Sequence, residues 1–195
     1  MSDLFYNVIK DMYKNTSLCV KTNNNTLTEN FPSDIGVRQG DNLSPTLFKL
    51  FINDLPEIFD SGCCPVLLNN RSLNCLMYAD DLIMISETSS GLQNCLDNLM
   101  DYCSKWGLEI NMKKTKVLIF NNTGRISKEK FTFNGQLINN EKKYNYLGMI
   151  FTVSGRFTDA KFNLYNKALK AFFKLKRYFT HFKPNIKTLL HLFDH

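Results

Sequence analysis

Two adjacent carboxylates, Asp80 and Asp81, stand between two short apolar runs, Cys75 to Tyr78 and Leu82 to Ile85. Like charges this close repel, and both are costly to desolvate unless a cation neutralises them. Mg²⁺ accepts one or two carboxylates and completes its octahedron with water and phosphate oxygens. The pair therefore suits a divalent-metal centre (Mg²⁺ or Mn²⁺) working on phosphates. Adjacent strand residues point to opposite faces, which predicts that one of the two ligates an ion squarely. Taken alone, the dipeptide reads more simply as a solvated turn.

A second candidate is Gly36-Val37-Arg38-Gln39-Gly40-Asp41-Asn42-Leu43-Ser44-Pro45. Its glycines allow close backbone approach to a ligand, Gln39 offers an amide donor and acceptor, and Arg38 suits phosphate. A plain loop with a surface salt bridge is the duller alternative. A third is the run from Lys161 to Lys187, which holds Lys161, Lys167, Lys170, Lys174, Lys176, Arg177, Lys183 and Lys187 and no acid. It carries +8 of a total of +6, leaving −2 for the rest. Such a segment fits a phosphate backbone or, equally, a solvated basic helix face.

The elements that must position these groups follow from periodicity. Residues 2 to 14 predict a helix with Ser2 as N-cap. Ser17 to Thr22 and Thr26 to Phe31 predict a hairpin around Asn23-Asn24-Asn25. Ser44 is expected to cap a helix with Pro45 in its first turn and Leu47, Phe48, Phe51, Ile52 and Leu55 on its apolar face. Residues 57 to 72 read as connecting loop. Cys75 to Tyr78 and Leu82 to Ile85 read as a hairpin of buried strands. Leu92, Cys95, Leu96, Leu99, Met100, Cys103 and Trp106 give a helical stripe closed by Gly107. Leu108 to Met112 and Val117 to Phe120 read as strands, and Asn134-Gly135 as a type I′ turn. Tyr144 to Phe151 is a further strand. Residues 158 to 180 form a helix with Phe162, Tyr165, Ala168, Leu169, Phe172, Phe173 and Leu175 as its apolar stripe. Strands and helices without strict alternation imply α+β.

The composition sets outer bounds. A chain of 195 residues, 44% hydrophobic and 22% charged, suits one sizeable core. No apolar run approaches the roughly 20 residues of a membrane span, and the N-terminus lacks the pattern of a signal peptide. The six cysteines form no C-x-x-C pair, and His181, His191 and His195 lack metal-ligand spacing. A reducing, intracellular setting (nuclear or cytoplasmic, not secreted) is the expectation.

Taken in order, the motifs resemble a known family. Tyr78-Ala79-Asp80-Asp81 resembles the Y-x-D-D signature of reverse transcriptases, and Arg38-Gln39-Gly40 through Ser44-Pro45 resembles their R-Q-G-x-x-x-S-P segment. Gly107-Leu108-Glu109-Ile110-Asn111 with Lys113-Lys114-Thr115-Lys116 is similar to G-L-x-x-N-x-x-K-T-K. Tyr146-Leu147-Gly148 is similar to the Y-L-G turn. The likeness covers about residues 1 to 180 and is closest in character to LINE-type (non-LTR) retrotransposons.

That resemblance implies a partial right-hand polymerase: a palm over 1–155, with an antiparallel sheet packed on helices, and the start of a basic helical thumb over 156–195. It implies RNA-directed DNA polymerase (nucleotidyltransferase) chemistry on an RNA template, a DNA primer and a dNTP, with Mg²⁺ or Mn²⁺. Asp80 and Asp81 take the catalytic, metal-binding positions. Arg38, Gln39, Gly40, Tyr78 and Lys116 take nucleotide or template positions, and Tyr146, Leu147 and Gly148 hold the primer end. Lys161, Lys167, Lys170, Lys174 and Arg177 track the nucleic-acid backbone.

One expected part has no counterpart. The family draws a further Asp from a strand ahead of the R-Q-G segment, and of Asp3, Asp11 and Asp34 none lies in an apolar strand. Two-metal phosphoryl transfer needs carboxylates holding ions about 3.5–4 Å apart. The expectation is therefore a domain fragment incomplete at its N-terminus and inactive alone. The alternative is a non-catalytic nucleic-acid-binding remnant.

Overall fold

A computed structural model describes residues 3–33, 35–59, 62–182 and 186–187. Ser2, Asp34, Lys183, His191 and His195, named above, lie outside them. Helices and small sheets make an α+β chain that divides into two compact units, Met1–Glu57 with Cys75–Ile83, and Ile58–Asn74 with Met84–His195.

The first unit opens with α1 (Asp3–Tyr13), which buries none of its residues. The predicted hairpin forms, but its ladder is shorter than expected. β1 (Ser17–Leu18) pairs antiparallel with β2 (Phe31–Pro32), and Lys21 bridges Leu27. Two residues separate Leu18 from Lys21 while three separate Leu27 from Phe31, so a bulge interrupts the pairing. Asn25 takes φ +62° at the turn, as the Asn run predicts.

α2 (Ser44–Phe51) starts differently from the expectation. Leu43 occupies the cap position with no side-chain bond, and Ser44 is already helical. The Ser44 hydroxyl instead donates to the Arg38 carbonyl at 2.6 Å. Asp41 Oδ1 accepts from the Leu43 N–H at 3.2 Å, replacing the cap. The hairpin of β5 and β6 described below contributes most of its length to this unit.

The stretch read as loop, which leaves the first unit after Glu57, holds structure. A 3₁₀ turn over Leu55–Phe59 is followed by β3 (Val66–Leu68) and β4 (Arg71–Leu73), paired antiparallel. Asn69 and Asn70, at φ +49° and +61°, supply the type I′ geometry that joins them. β5 (Cys75–Tyr78) then pairs with β6 (Asp81–Met84).

α3 (Ser89–Trp106) is the organising helix of the second unit. The Thr88 hydroxyl accepts from the Gly91 N–H at 3.0 Å, and Gly107 at φ +64° closes the other end. Its buried Cys95, Leu96, Leu99, Tyr102 and Cys103 form a core with the buried Phe131, Phe133 and Ile138. Phe131 and Phe133 share one face of β8 (Phe131–Phe133) because strand side chains alternate. The Gln93 amide exchanges two 3.0 Å bonds with the Thr132 backbone, so the helix caps the strand edge as another peptide would. Asn94 and Asn98 donate to the Gly62 and Ile58 carbonyls, tying the preceding loop to the helix.

The strand expected over Leu108 to Met112 is absent. Asn111 turns the chain instead, its Oδ1 accepting from the Lys114 N–H and its carbonyl from the Thr115 N–H. The strand expected over Val117 to Phe120 shrinks to β7 (Lys116–Val117). β7 runs parallel to β9 (Gln136–Asn140), an exception to the antiparallel expectation, while β8 pairs antiparallel with β9 across Asn134-Gly135. Both turn residues have positive φ, +47° and +71°, as a type I′ turn requires. β10 (Lys143–Tyr146) and β11 (Met149–Thr152) form a hairpin, and β11 contacts α4 (Thr158–Phe182).

Candidate active site and nucleic-acid interface

The carboxylate pair sits where a two-residue connection joins β5 to β6. Ala79 adopts φ +53° and Asp80 is not among the positive-φ residues, the pattern of a type II′ turn, which normally takes glycine first. A non-glycine residue in this region costs roughly 1–3 kcal/mol, and such outliers gather at functional sites. Asp80 lies in the turn and Asp81 opens β6, both exposed. Neither carboxylate bonds to a described residue, so their oxygens stay available as ligands. The arms are less buried than expected: Leu76, Met77 and Tyr78 are 45%, 36% and 64% exposed.

Carboxylate oxygens are the donors a hard cation such as Mg²⁺ prefers, and two of them suffice when water and phosphate complete the shell. By donor type, Asp80 and Asp81 fit. Among the described residues, however, no group of three or more His, Cys, Asp or Glu side chains could hold a metal.

The Arg-Gln-Gly loop belongs to the same unit and is braced from below. Gly36 and Gly40 both take φ +85° with open space around them. Arg38 Nη2 donates to the Met12 carbonyl and to Thr16 Oγ1 (3.1 Å), and its guanidinium lies 5.2 Å from the Tyr13 ring centre. The Tyr13 hydroxyl in turn meets Ser44 Oγ at 3.2 Å and Asp41 Oδ2 at 3.4 Å. Ser44 is 5% exposed, the one buried polar residue of the described chain. Arg38 is thus anchored to α1, while its other N–H groups remain for a ligand. Sequence motifs single out Arg38 but not Tyr13 or Thr16, because their roles come from tertiary contact alone.

In the second unit, Lys116 lies in β7 and pairs with Glu141 at 4.0 Å. Its ammonium is committed to a carboxylate rather than held open. Tyr146-Leu147-Gly148 forms the tip of the β10–β11 hairpin, with Leu147 at φ +47° and Gly148 at +84°. Leu147, 56% exposed, is a bulky residue in a conformation suited to glycine.

Along α4, Lys167, Lys170, Lys174 and Arg177 fall at i, i+3, i+7 and i+10, a single stripe at 3.6 residues per turn. Lys161, six residues before Lys167, is on the other side. The apolar stripe expected on this helix is largely uncovered: Phe162, Tyr165, Phe172 and Phe173 are all more than half exposed. No described helix is long and apolar enough to cross a membrane.

Comparison with known proteins accounts for this combination. Residues 2–151 match the family described as reverse transcriptase (RNA-dependent DNA polymerase). The chain is 32% identical over 137 residues to the Pol polyprotein of the type-2 retrotransposable element R2DM of Drosophila melanogaster, covering 66% of this chain and 13% of that protein. It is 32% identical over 126 residues to the RNA-directed DNA polymerase of the mobile element jockey of the same fly, covering 60% and 13%. With the Pol polyprotein of a type-1 element R2 of Popillia japonica it shares 27% identity over 172 residues, covering 84% and 28%. The chain therefore spans a small part of these relatives' length. The matched region takes in the Arg-Gln-Gly loop, the Asp80–Asp81 turn and the Tyr146–Gly148 tip, and the chain belongs to the reverse transcriptase family, of the kind carried by non-LTR retrotransposons.

Proposed function

We propose that this chain forms the carboxylate-bearing and primer-holding part of an RNA-directed DNA polymerase, with 1–155 as palm and 156–195 as the start of the thumb. The observation that carries the reading is the exposed, unpartnered Asp80–Asp81 pair on a tight hairpin turn in a chain of this family. Asp80 and Asp81 hold Mg²⁺ or Mn²⁺. Gly36, Gln39 and Gly40 let the backbone approach the nucleotide, and Arg38, fixed on α1, presents its remaining N–H groups to phosphate or template. Tyr78 flanks the turn as a wall of the nucleotide site.

Tyr146, Leu147 and Gly148 hold the primer end, and Lys161, Lys167, Lys170, Lys174 and Arg177 track the duplex backbone, the last four from one stripe of α4 and Lys161 from its other side. Lys116 reaches a triphosphate only by leaving Glu141. When bound, a divalent cation neutralises the paired carboxylates and stabilises charge on phosphate oxygens. RNA template, DNA primer and dNTP are the partners in this reading, in an intracellular setting.

Two carboxylates without a third among the described residues make half of a two-metal site. Primer extension on a primed RNA template tests this: the chain alone gives no product. Robust Mg²⁺-dependent synthesis that disappears in Asp80→Asn overturns it. The same observation favours a second reading, a nucleic-acid binder without chemistry. Supplying in trans the upstream polymerase segment of a related element restores synthesis under the first reading and not under the second.

A further inference from the structure

Beyond the Tyr146–Gly148 turn, the β10–β11 hairpin carries a second feature at its opposite end. A cavity of about 420 Å³ is lined there by Lys142, Lys143 and Arg156, with Thr152, Ser154 and one acid, Asp159. We infer that this cavity binds a backbone phosphate of the nucleic acid, a few nucleotides from the phosphate at the Tyr146–Gly148 turn. The inference rests on the nucleic-acid reading above and adds a site to it.

The cavity is built on fixed backbone. Lys143 stands opposite Thr152 in the strand register. Val153, 2% exposed, donates its N–H to the Lys142 carbonyl at 3.0 Å and accepts from the Asn121 N–H at 2.7 Å. The Gly155 N–H closes a turn onto the Thr152 carbonyl at 2.9 Å, and Thr152 Oγ1 donates to the Arg156 carbonyl at 3.1 Å. Phe157 packs edge-on against Phe151 at 6.2 Å, bracing the same loop against β11. Arg156 is therefore presented from a folded turn.

Charge and lining decide the ligand class. Three cationic residues and one acid line the cavity, and among the described residues none of the three is ion-paired. An anion is favoured. The lining contains no aromatic ring on which a base could stack, so a phosphate is recognised without its base. Three residue steps from Lys143, or four from Lys142, reach Tyr146 at the turn, roughly 10–13 Å at about 3.3 Å per residue. At about 3.4 Å of helix axis per phosphate on one strand, that is about three to four nucleotides.

The test measures binding of the full chain to a labelled RNA–DNA hybrid of about 20 base pairs, at several salt concentrations between roughly 50 and 200 mM. The comparison is between the parent, Lys143→Ala/Arg156→Ala, and Lys170→Ala/Lys174→Ala, each checked for unchanged circular dichroism. The cavity variant is expected to lose about tenfold in affinity at low salt and about 1–2 in the slope of log affinity against log salt. Parent binding that weakens in the α4 variant but keeps its affinity and slope in the cavity variant overturns this site alone. Absence of parent binding overturns the nucleic-acid reading and the site with it.

Discussion

The Lys167 ammonium stands beside Gly148: a Cβ added to that glycine would lie 3.8 Å from Nζ. The hairpin tip that resembles a primer-holding turn is thus joined to the first of the four cations striping α4. The spacing is ordinary van der Waals contact, so crowding does not require glycine there. The φ of +84° does.

Gly148→Ala is therefore expected to cost about 1–2 kcal/mol through backbone strain. Leu147, also at positive φ, behaves in the opposite sense: Leu147→Asn removes strain from an exposed position and gains about 0.5–1 kcal/mol. Denaturant unfolding of the two variants checks both signs. A loss of stability in Leu147→Asn would contradict the account of this turn.

The clamp beneath the Arg-Gln-Gly loop gives a second prediction. Ser44→Ala leaves the Arg38 carbonyl without its 2.6 Å donor and the Tyr13 hydroxyl without one partner at a site 5% exposed. A loss of about 1–3 kcal/mol is expected, measured as a lower denaturation midpoint. Ser44→Thr, which keeps the hydroxyl, recovers part of it.

Gly91 gives the largest expected effect. A Cβ there would lie 2.5 Å from Ser86 Oγ and 2.8 Å from both the Cys63 carbonyl oxygen and Cys64 Cβ. Two of these three atoms belong to the Cys63–Cys64 segment that α3 holds in place. Gly91→Ala should destabilise by about 3 kcal/mol or more, read as thermal unfolding at a lower temperature. Gly107→Ala, with open space around it, should cost only about 1 kcal/mol.

Burial pushes the Cys103 thiol above its ordinary value of 9.0. Folding therefore favours the protonated form. Its contribution to stability is full below pH 9.0 and is lost as the pH rises through the higher folded value. Cys103→Ser should flatten that part of the alkaline stability profile. At pH 8, alkylation followed by mass spectrometry should label the exposed Cys19 and Cys64 well before Cys103.

Local signals carried much of the fold into view. Helix α3 was legible from its apolar period and Gly107, and the β8–β9 turn from Asn134-Gly135, because cap and turn chemistry act within a few residues. The β3–β4 hairpin was missed although Asn69-Asn70 carries a similar turn signal; its runs of three residues are too short for periodicity to register. Leu108 to Met112 has strand-like composition, yet Asn111 spends its side chain and carbonyl on a local turn. Motif spacing exposed Asp80, Arg38 and the Tyr146–Gly148 tip. It was silent on Tyr13, Thr16 and the Lys116–Glu141 pair, whose contacts join residues 22 to 31 apart in sequence.

The central claim is that the Asp80–Asp81 turn is a divalent-cation half-site. Titrating Mn²⁺ into the isotope-labelled chain and following paramagnetic broadening of its amide signals tests it most directly. Broadening should centre on Tyr78 to Leu82 and vanish from that turn in Asp80→Asn/Asp81→Asn. Broadening that spares the turn, or that persists there in the double variant, would contradict the claim.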